Sequence, residues 1–527
     1  MNRPFREEGD VVALQLPYES FLRECGSKHL ALYRAIRAGI AGGRLQPGER
    51  LPSTRQLAGL YGVSRGSVSL AYEMLAAEGY VRAGVGQGTF VSDEAAAPIG
   101  SKAVSPGANQ RSRSEPEALS AWGRRVASDA DEPASRGGDA GPANDDVCSF
   151  VPRGMGERWF PWKEWRSSVA AQWRKIGTGE EDADSAADGS LRLRQAIALR
   201  LRRERGIVCD AEDVVVTAGS QQAIALLSQL LLEEGRTAVA ENPCYAGTRR
   251  AIAATGASLA LAPVDGQGIF PADWDARLLF VTPTRQFPTG AVLKLERRLE
   301  LLAWASRRKA WIVEDDYDSD FRWGGRPIEP LKSLDREGRV VYVGSFSRSM
   351  RTEVRIGYAV LPRALREPFA RAKRLYDTHP VGIAEQLALA EWMADGGFDR
   401  HLRRSRRIFH RLQEQLKNGL EGRLGDLFEV APADAGLFLF ARWHGSREDY
   451  DRLARECRGR GVRWGDGRPY YAGDTAEQPP SALFGFAHLD EERIAEGLAR
   501  IRQAAETLGL ISLRPPLGRS AQRGSIG

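Results

Sequence analysis

Ala310-Trp311-Ile312-Val313-Glu314-Asp315-Asp316-Tyr317 and, further along, Val340-Val341-Tyr342-Val343-Gly344-Ser345-Phe346-Ser347-Arg348 share one construction: an apolar run, then a polar cluster. An uninterrupted apolar run reads as a strand buried on both faces. The polar residues then stand at the carboxyl ends of two strands. In open α/β sheets ligands bind just beyond such ends, so the two clusters can line one pocket.

Working outward, apolar runs at 214–217, 237–240, 278–281 and 356–360 continue the series, with helical patterns such as 221–232 between them. This alternation predicts a mostly parallel sheet covered on both faces. Trp159, Phe160, Trp162 and Trp165 read as core anchors, and a long amphipathic helix starts at Leu191. From about residue 383, long helical patterns lead into a smaller α+β region with strands near 437–440 and 483–486.

The first hundred residues have another rhythm. Leu32, Ile36 and Ile40 fall on one helical face, and Gly42-Gly43 ends it. Ser53 is placed to cap a second helix with Leu57 and Leu60 inward, and Ser64 caps a third with Val68, Ala71, Tyr72 and Leu75 at i, i+3, i+4, i+7 spacing. Two short strands, 80–82 and 89–91, flank Gly84-Val85-Gly86-Gln87-Gly88 as a hairpin. Helix, helix, tight turn, helix and hairpin make a winged helix-turn-helix, with residues 64–78 as the recognition helix. Arg65 is placed to fork onto a guanine and Arg55 to meet phosphate. The wing tip, lacking side-chain bulk, can approach the minor groove. Residues 93–146 are rich in Ala, Ser, Gly, Pro, Asp and Arg, a composition that predicts a flexible linker.

At 527 residues the chain needs two or three domains. No apolar run reaches the length of a membrane span, and residues 1–8 hold no signal-peptide core. Cys25, Cys148, Cys209, Cys244 and Cys457 are scattered, which predicts reduced thiols in a cytoplasmic protein and no metal site. The net charge of +6 says little about nucleic acid. Nine of the 75 basic residues are lysine, so 66 are arginine.

With these motifs in view, the chain resembles the MocR class of bacterial regulators, which join a GntR-type winged helix-turn-helix to a fold-type-I aminotransferase domain. The resemblance rests on Leu51-Pro52-Ser53-Thr54-Arg55, Gly62-Val63-Ser64-Arg65, Glu78-Gly79-Tyr80, Gly219-Ser220-Gln221-Gln222 and the two opening stretches. It implies a multidomain fold: a mainly α winged helix-turn-helix over 28–92, the linker over 93–146, an α/β large domain over 147–382, a small C-terminal α+β domain over 383–512, and a disordered tail over 513–527. It also implies double-stranded DNA as partner, a homodimer through the large domain, and an amino-acid or pyridoxal 5'-phosphate (PLP) type of effector.

Residue by residue, Arg55, Ser64, Arg65 and Ser67, with Gly86 and Gln87 in the wing, match the family's DNA-contacting positions. Gly219-Ser220-Gln221 lies between strand and helix, where free N–H groups can hold a phosphate, and it matches the family's phosphate loop. Tyr245 matches the aromatic that stacks on the pyridine ring, and Tyr317 the group that reaches the ring oxygen. Asp315 matches the partner of the ring nitrogen, with Asp316 as the alternative. Ser345, Ser347 and Arg355 match phosphate ligands.

Three positions depart from the pattern. Arg348 stands where the family carries its Schiff-base lysine. Arg285 stands where family members commonly carry His. Leu483 aligns with the arginine that binds a substrate carboxylate, which leaves Arg463 and Arg468 as candidates by proximity. A guanidinium stays charged and cannot act as an amine nucleophile. The expectation is therefore PLP bound without a covalent link, or as a preformed PLP–amino-acid adduct, and no catalytic residue. No lysine is adjacent to Arg348: the nearest in sequence are Lys332 and Lys373, and Lys294, just after the Pro288-Thr289-Gly290 loop, is the substitute that could swing in. Two other readings stay open here: an active aminotransferase with a fused DNA-binding domain, and a cofactor-free dimeric DNA-binding protein.

Overall fold

The computed structural model describes residues 16–84, 88–93, 119–128, 147–179, 187–323, 328–432, 434–473 and 477–511. The chain divides into two units, Met1–Ser114 and Glu115–Gly527. In the first, helices Tyr18–Cys25, Lys28–Ala41, Thr54–Tyr61 and Arg65–Ala77 precede a hairpin of β1 (Val81–Gly84) and β2 (Gly88–Val91). Val81 pairs with Val91 and Gly84 with Gly88. Leu32, Ile36, Ile40, Val68, Ala71, Tyr72 and Leu75 are buried, as their spacing predicts. Leu57 is buried too, but Leu60 is 46% exposed. The inward face of that helix runs through Leu57, Ala58 and Tyr61, which turns Leu60 outward. The helix Tyr18–Cys25 lies before the expected boundary at residue 28. It joins the core through Tyr18, whose ring lies 5.0 Å from that of Tyr61.

The strands of the second unit are β3 (Cys148–Phe150), β4 (Val214–Thr217), β5 (Thr237–Asn242), β6 (Ser258–Asp265), β7 (Gly268–Ile269), β8 (Leu278–Val281), β9 (Trp311–Asp316), β10 (Val340–Ser345), β11 (Gly357–Val360), β12 (Phe428–Val430), β13 (Phe438–Trp443), β14 (Val462–Asp466) and β15 (Ser481–Gly485). Eight of them form one sheet in the order β4-β11-β10-β9-β8-β5-β6-β7. The pairings from β10 through β9, β8 and β5 to β6 are parallel. β11 runs antiparallel to both neighbours, because the chain between β10 and β11 is too short for a crossover helix. The register sets Val343 beside Asp315 and Gly344 beside Asp316.

The smaller sheet has the order β12-β13-β15-β14-β3. β3 was expected in the large domain; instead it pairs in parallel with β14, Cys148 beside Val462. Its three residues are fully enclosed under the helix Glu491–Thr507, and such a run is too short to reveal its sheet. The expected linker also holds structure. A helix, Ala121–Ser128, lies within it, with Arg125 Nε donating to Ala254 O at 3.1 Å and Nη2 to Thr255 O at 3.4 Å. The rest of the linker beyond residue 93, the expected tail, and Gly86 and Gln87 lie outside the described residues. No described helix is long and apolar enough to cross a membrane.

Candidate functional site

The carboxyl ends of β4, β5, β8, β9 and β10 lie along one edge of the large sheet, and the polar clusters meet there. After β4 the chain turns at Gly219 (φ 86°) into the helix Ser220–Leu231. The first-turn N–H groups of a helix have no intrahelical partners. Gln222 Oε1 accepts from Ala218 N at 2.8 Å, and Gln221 Nε2 donates to Gly247 O at 3.1 Å. Gln221 Oε1 is buried without a partner. Arg355 comes in from the turn before β11 with φ 52°, donates from Nη2 to Ala218 O at 2.7 Å, and lies 3.1 Å from where a Cβ on Gly219 would stand. Ser345 Oγ donates to Ser347 Oγ at 3.1 Å. Ser220, Gln221, Ser345, Ser347 and Arg355 thus surround the turns after β4 and β10.

The two aspartates have different surroundings. Asp316 is saturated: Tyr342 Oη donates to it at 2.6 Å, Thr284 Oγ1 at 3.2 Å, and Arg205 Nη2 lies 3.4 Å away. Asp315 keeps some surface exposure, yet its Oδ1 is sealed from solvent with no partner. Burial and the Asp316 charge push Asp315 up to about 7, against the pull of Arg348. Arg348 sits on the turn after β10, with Nη1 3.3 Å from Arg153 O. Burial pushes Tyr317, Tyr245 and Tyr470 up, and the Arg348 charge opposes this only in part.

Phe287 is the aromatic hub of this edge. It meets Tyr245, Tyr317, Phe438 and Tyr470 edge-on, at 6.1, 5.5, 5.9 and 5.0 Å. Arg285 has a structural place beneath it. The guanidinium is buried, 3.2 Å from Asp318, and donates to Phe438 O and to Tyr317 Oη at 3.0 Å each. Tyr317 accepts that bond and keeps its own proton to donate. Leu483 is fully buried in the same apolar cluster.

The remaining candidates are engaged elsewhere. Lys332 Nζ donates to Val340 O at the amino end of β10, at 2.7 Å. Lys373 is buried and paired with Asp377 at 3.2 Å. Lys294 is exposed where the helix Leu295–Arg308 begins. Arg468 is held by Asp466 and Asp451, and Arg463 Nε donates to Ser149 Oγ at 3.3 Å.

In the N-terminal unit, Ser64 Oγ accepts from Ser67 N at 3.1 Å and lies 2.9 Å from Ser67 Oγ. This cap fixes the start of the helix Arg65–Ala77, and Arg65 is exposed at its first position. Arg55 is exposed on the preceding helix, which starts in a capping box between Ser53 and Gln56.

Residues 28–91 match the family described as bacterial regulatory proteins, gntR family, and residues 178–501 match aminotransferase class I and II. The probable rhizopine catabolism regulatory protein MocR of Rhizobium meliloti is 34% identical over 90% of this chain and 93% of its own length. The chain belongs to the MocR-type transcriptional regulators. A second relative of this regulator is the HTH-type pyridoxine biosynthesis transcriptional regulator PdxR of Corynebacterium glutamicum, 31% identical over 90% of this chain and 95% of its own. Among solved structures, LysN, the α-aminoadipate aminotransferase of Thermus thermophilus complexed with N-(5'-phosphopyridoxyl)-L-leucine, is similar with a TM-score of 0.61. It is 27% identical, covering 69% of this chain and 94% of that one.

Sequence reasoning about this MocR-type chain missed Phe287 and Tyr470. Phe287 lies in the loop after β8, but its hub position depends on four rings from distant segments. Tyr470 is on a short 3-10 turn, Arg468–Tyr470, that carries no periodic signal.

Proposed function

We propose that this MocR-type regulator binds duplex DNA as a cytoplasmic homodimer and senses PLP, or a preformed PLP–amino-acid adduct, held without a covalent bond. The observation that carries the reading is Asp315 Oδ1, buried and unpartnered at the end of β9 beside Arg348. A buried acceptor without a donor costs free energy unless a ligand satisfies it. Arg355, close to Gly219 where the helix Ser220–Leu231 begins, sets a cation beside the free first-turn N–H groups and makes a cradle for an anion. These residues fit PLP. Asp315 would hold the ring nitrogen, Tyr245 would cover the ring, and Tyr317 would donate to the ring oxygen. Ser220, Gln221, Ser345, Ser347 and Arg355 would take the phosphate.

PLP bound with its ring nitrogen protonated supplies an electron sink. Arg348 occupies the position at which an amine would have to attack, and a guanidinium neither attacks nor gives up its proton there. The site is therefore read as a sensor without turnover. Self-association is supported by exposed apolar residues just past Lys373: Leu375 is 83%, Tyr376 60% and Val381 56% exposed. Calorimetric titration of the full chain with PLP tests the reading. We expect saturable binding that Asp315→Ala and Arg355→Ala each weaken, fully reversed by dialysis. No binding would favour a cofactor-free dimerisation domain.

A further inference from the structure

A groove of about 570 Å3 opens on the small domain between the helix Arg447–Gly459 and β14. It shares no lining residue with the site at the carboxyl edge of the large sheet. Arg447, Arg455, Arg458, Arg463 and Arg468 line it, against Glu448, Asp451 and Asp466, so its formal charge is two positive. Two of those carboxylates are already taken by Arg468. Among the described residues no carboxylate lies within ion-pair reach of Arg455, Arg458 or Arg463; Arg455 donates only to Asp451 O and Arg463 only to Ser149 Oγ. Trp464 adds a flat apolar wall. Its ring is fixed against Phe484 and Tyr450, and its N–H donates to Tyr450 Oη at 3.0 Å.

Convergent guanidinium groups without acidic partners, around a concave space with one aromatic wall, suit a molecule with two negative charges and a flat body. Planar guanidinium forks grip carboxylate and phosphate oxygens in pairs. We propose that this groove is a second ligand site, for a small organic dianion. The far end of the groove is tied to the first site. Beyond Asp466 and Arg468, Pro469 O and Tyr470 O accept from Arg249 at 2.8 and 3.0 Å, and Tyr470 O also accepts from Cys244 N at 3.0 Å. Cys244 precedes Tyr245, and the Tyr470 ring meets Phe287. Coupling to the first site rests on the PLP reading; the existence of the second site does not.

The test titrates the full chain with phenyl phosphate and, separately, with phthalate, at constant ionic strength and where both are dianions. The tighter of the two identifies the oxyanion. Phenyl phosphate also resembles PLP, so the Arg355→Ser variant is titrated alongside to weaken the first site. We expect binding that survives Arg355→Ser and falls at least about tenfold in the Arg458→Ser/Arg463→Ser variant. On the wild type, ligand should slow phenylglyoxal labelling of Arg455, Arg458 and Arg463, mapped by peptide mass spectrometry, and leave the exposed Arg403 unchanged. Absence of binding, binding undiminished in the double variant, or no protection of these three arginines would overturn the proposal.

Discussion

Two adjacent carboxylates at the end of β9 have opposite fates. Asp316 is fixed by Arg205, Tyr342 and Thr284, while Asp315 keeps a buried oxygen unpaired. A strand-to-loop junction with two aspartates was legible in the sequence. Which one is free was not, because Arg205 arrives from a helix more than a hundred residues earlier and local spacing cannot show that. The difference has a pH signature. An ordinary aspartate ionises at 3.8, and Asp315 keeps its proton up to about 7. Across that window the folded chain binds more protons than the unfolded one, so stability falls as pH rises and levels off above it. Asp315→Asn should flatten this part of the melting profile and raise stability above about pH 7, by about 1–3 kcal/mol. Identical pH profiles for variant and wild type would show that Asp315 is not held protonated.

At the scale of elements, capping residues made the winged helix-turn-helix readable. Ser53 and Ser64 both cap as the sequence predicts. Arg65 at the first position of the recognition helix should contribute a base contact. Arg65→Ala is expected to weaken operator binding by about 1–3 kcal/mol and relax selectivity at one base pair, measured by competition binding; a loss equal on all duplexes would assign it to phosphate. The helix Ala121–Ser128 was hidden because it is short, and isolated helices of that length are marginal. It is held by a distant contact: Arg125 meets the terminal carbonyls of the helix Ala246–Thr255, where a cation is favoured. Tyr245 is the N-cap of that helix, so the linker helix meets the end opposite a candidate pocket aromatic. Arg125→Ala should speed hydrogen exchange across 121–128 and leave the recognition helix unchanged. Equal protection in both proteins would mean that Arg125 does not hold the linker helix.

For the whole molecule, the alternation of apolar runs and helices was enough for the parallel core of the large sheet. It could not give the reversal of β11, which depends on connection length, or the recruitment of β3 into the smaller sheet. Leu375, Tyr376 and Val381 expose large apolar side chains within seven residues of sequence, and grouped apolar exposure marks interaction surfaces. Sedimentation should find a dimer at micromolar concentration, and Leu375→Glu/Val381→Glu should shift it toward monomer. A wild-type monomer under those conditions would remove the homodimer from the account.

Borohydride reduction in the presence of PLP tests the central claim most directly. Arg348→Lys restores an amine on a long cationic stem and leaves Asp315, Tyr245 and the cradle untouched. Mass spectrometry should then find PLP trapped on residue 348 of the variant and on no residue of the wild type, which is expected to bind PLP reversibly. PLP trapped on wild-type Lys294 or Lys332 would contradict the non-covalent sensor and restore an enzymatic reading.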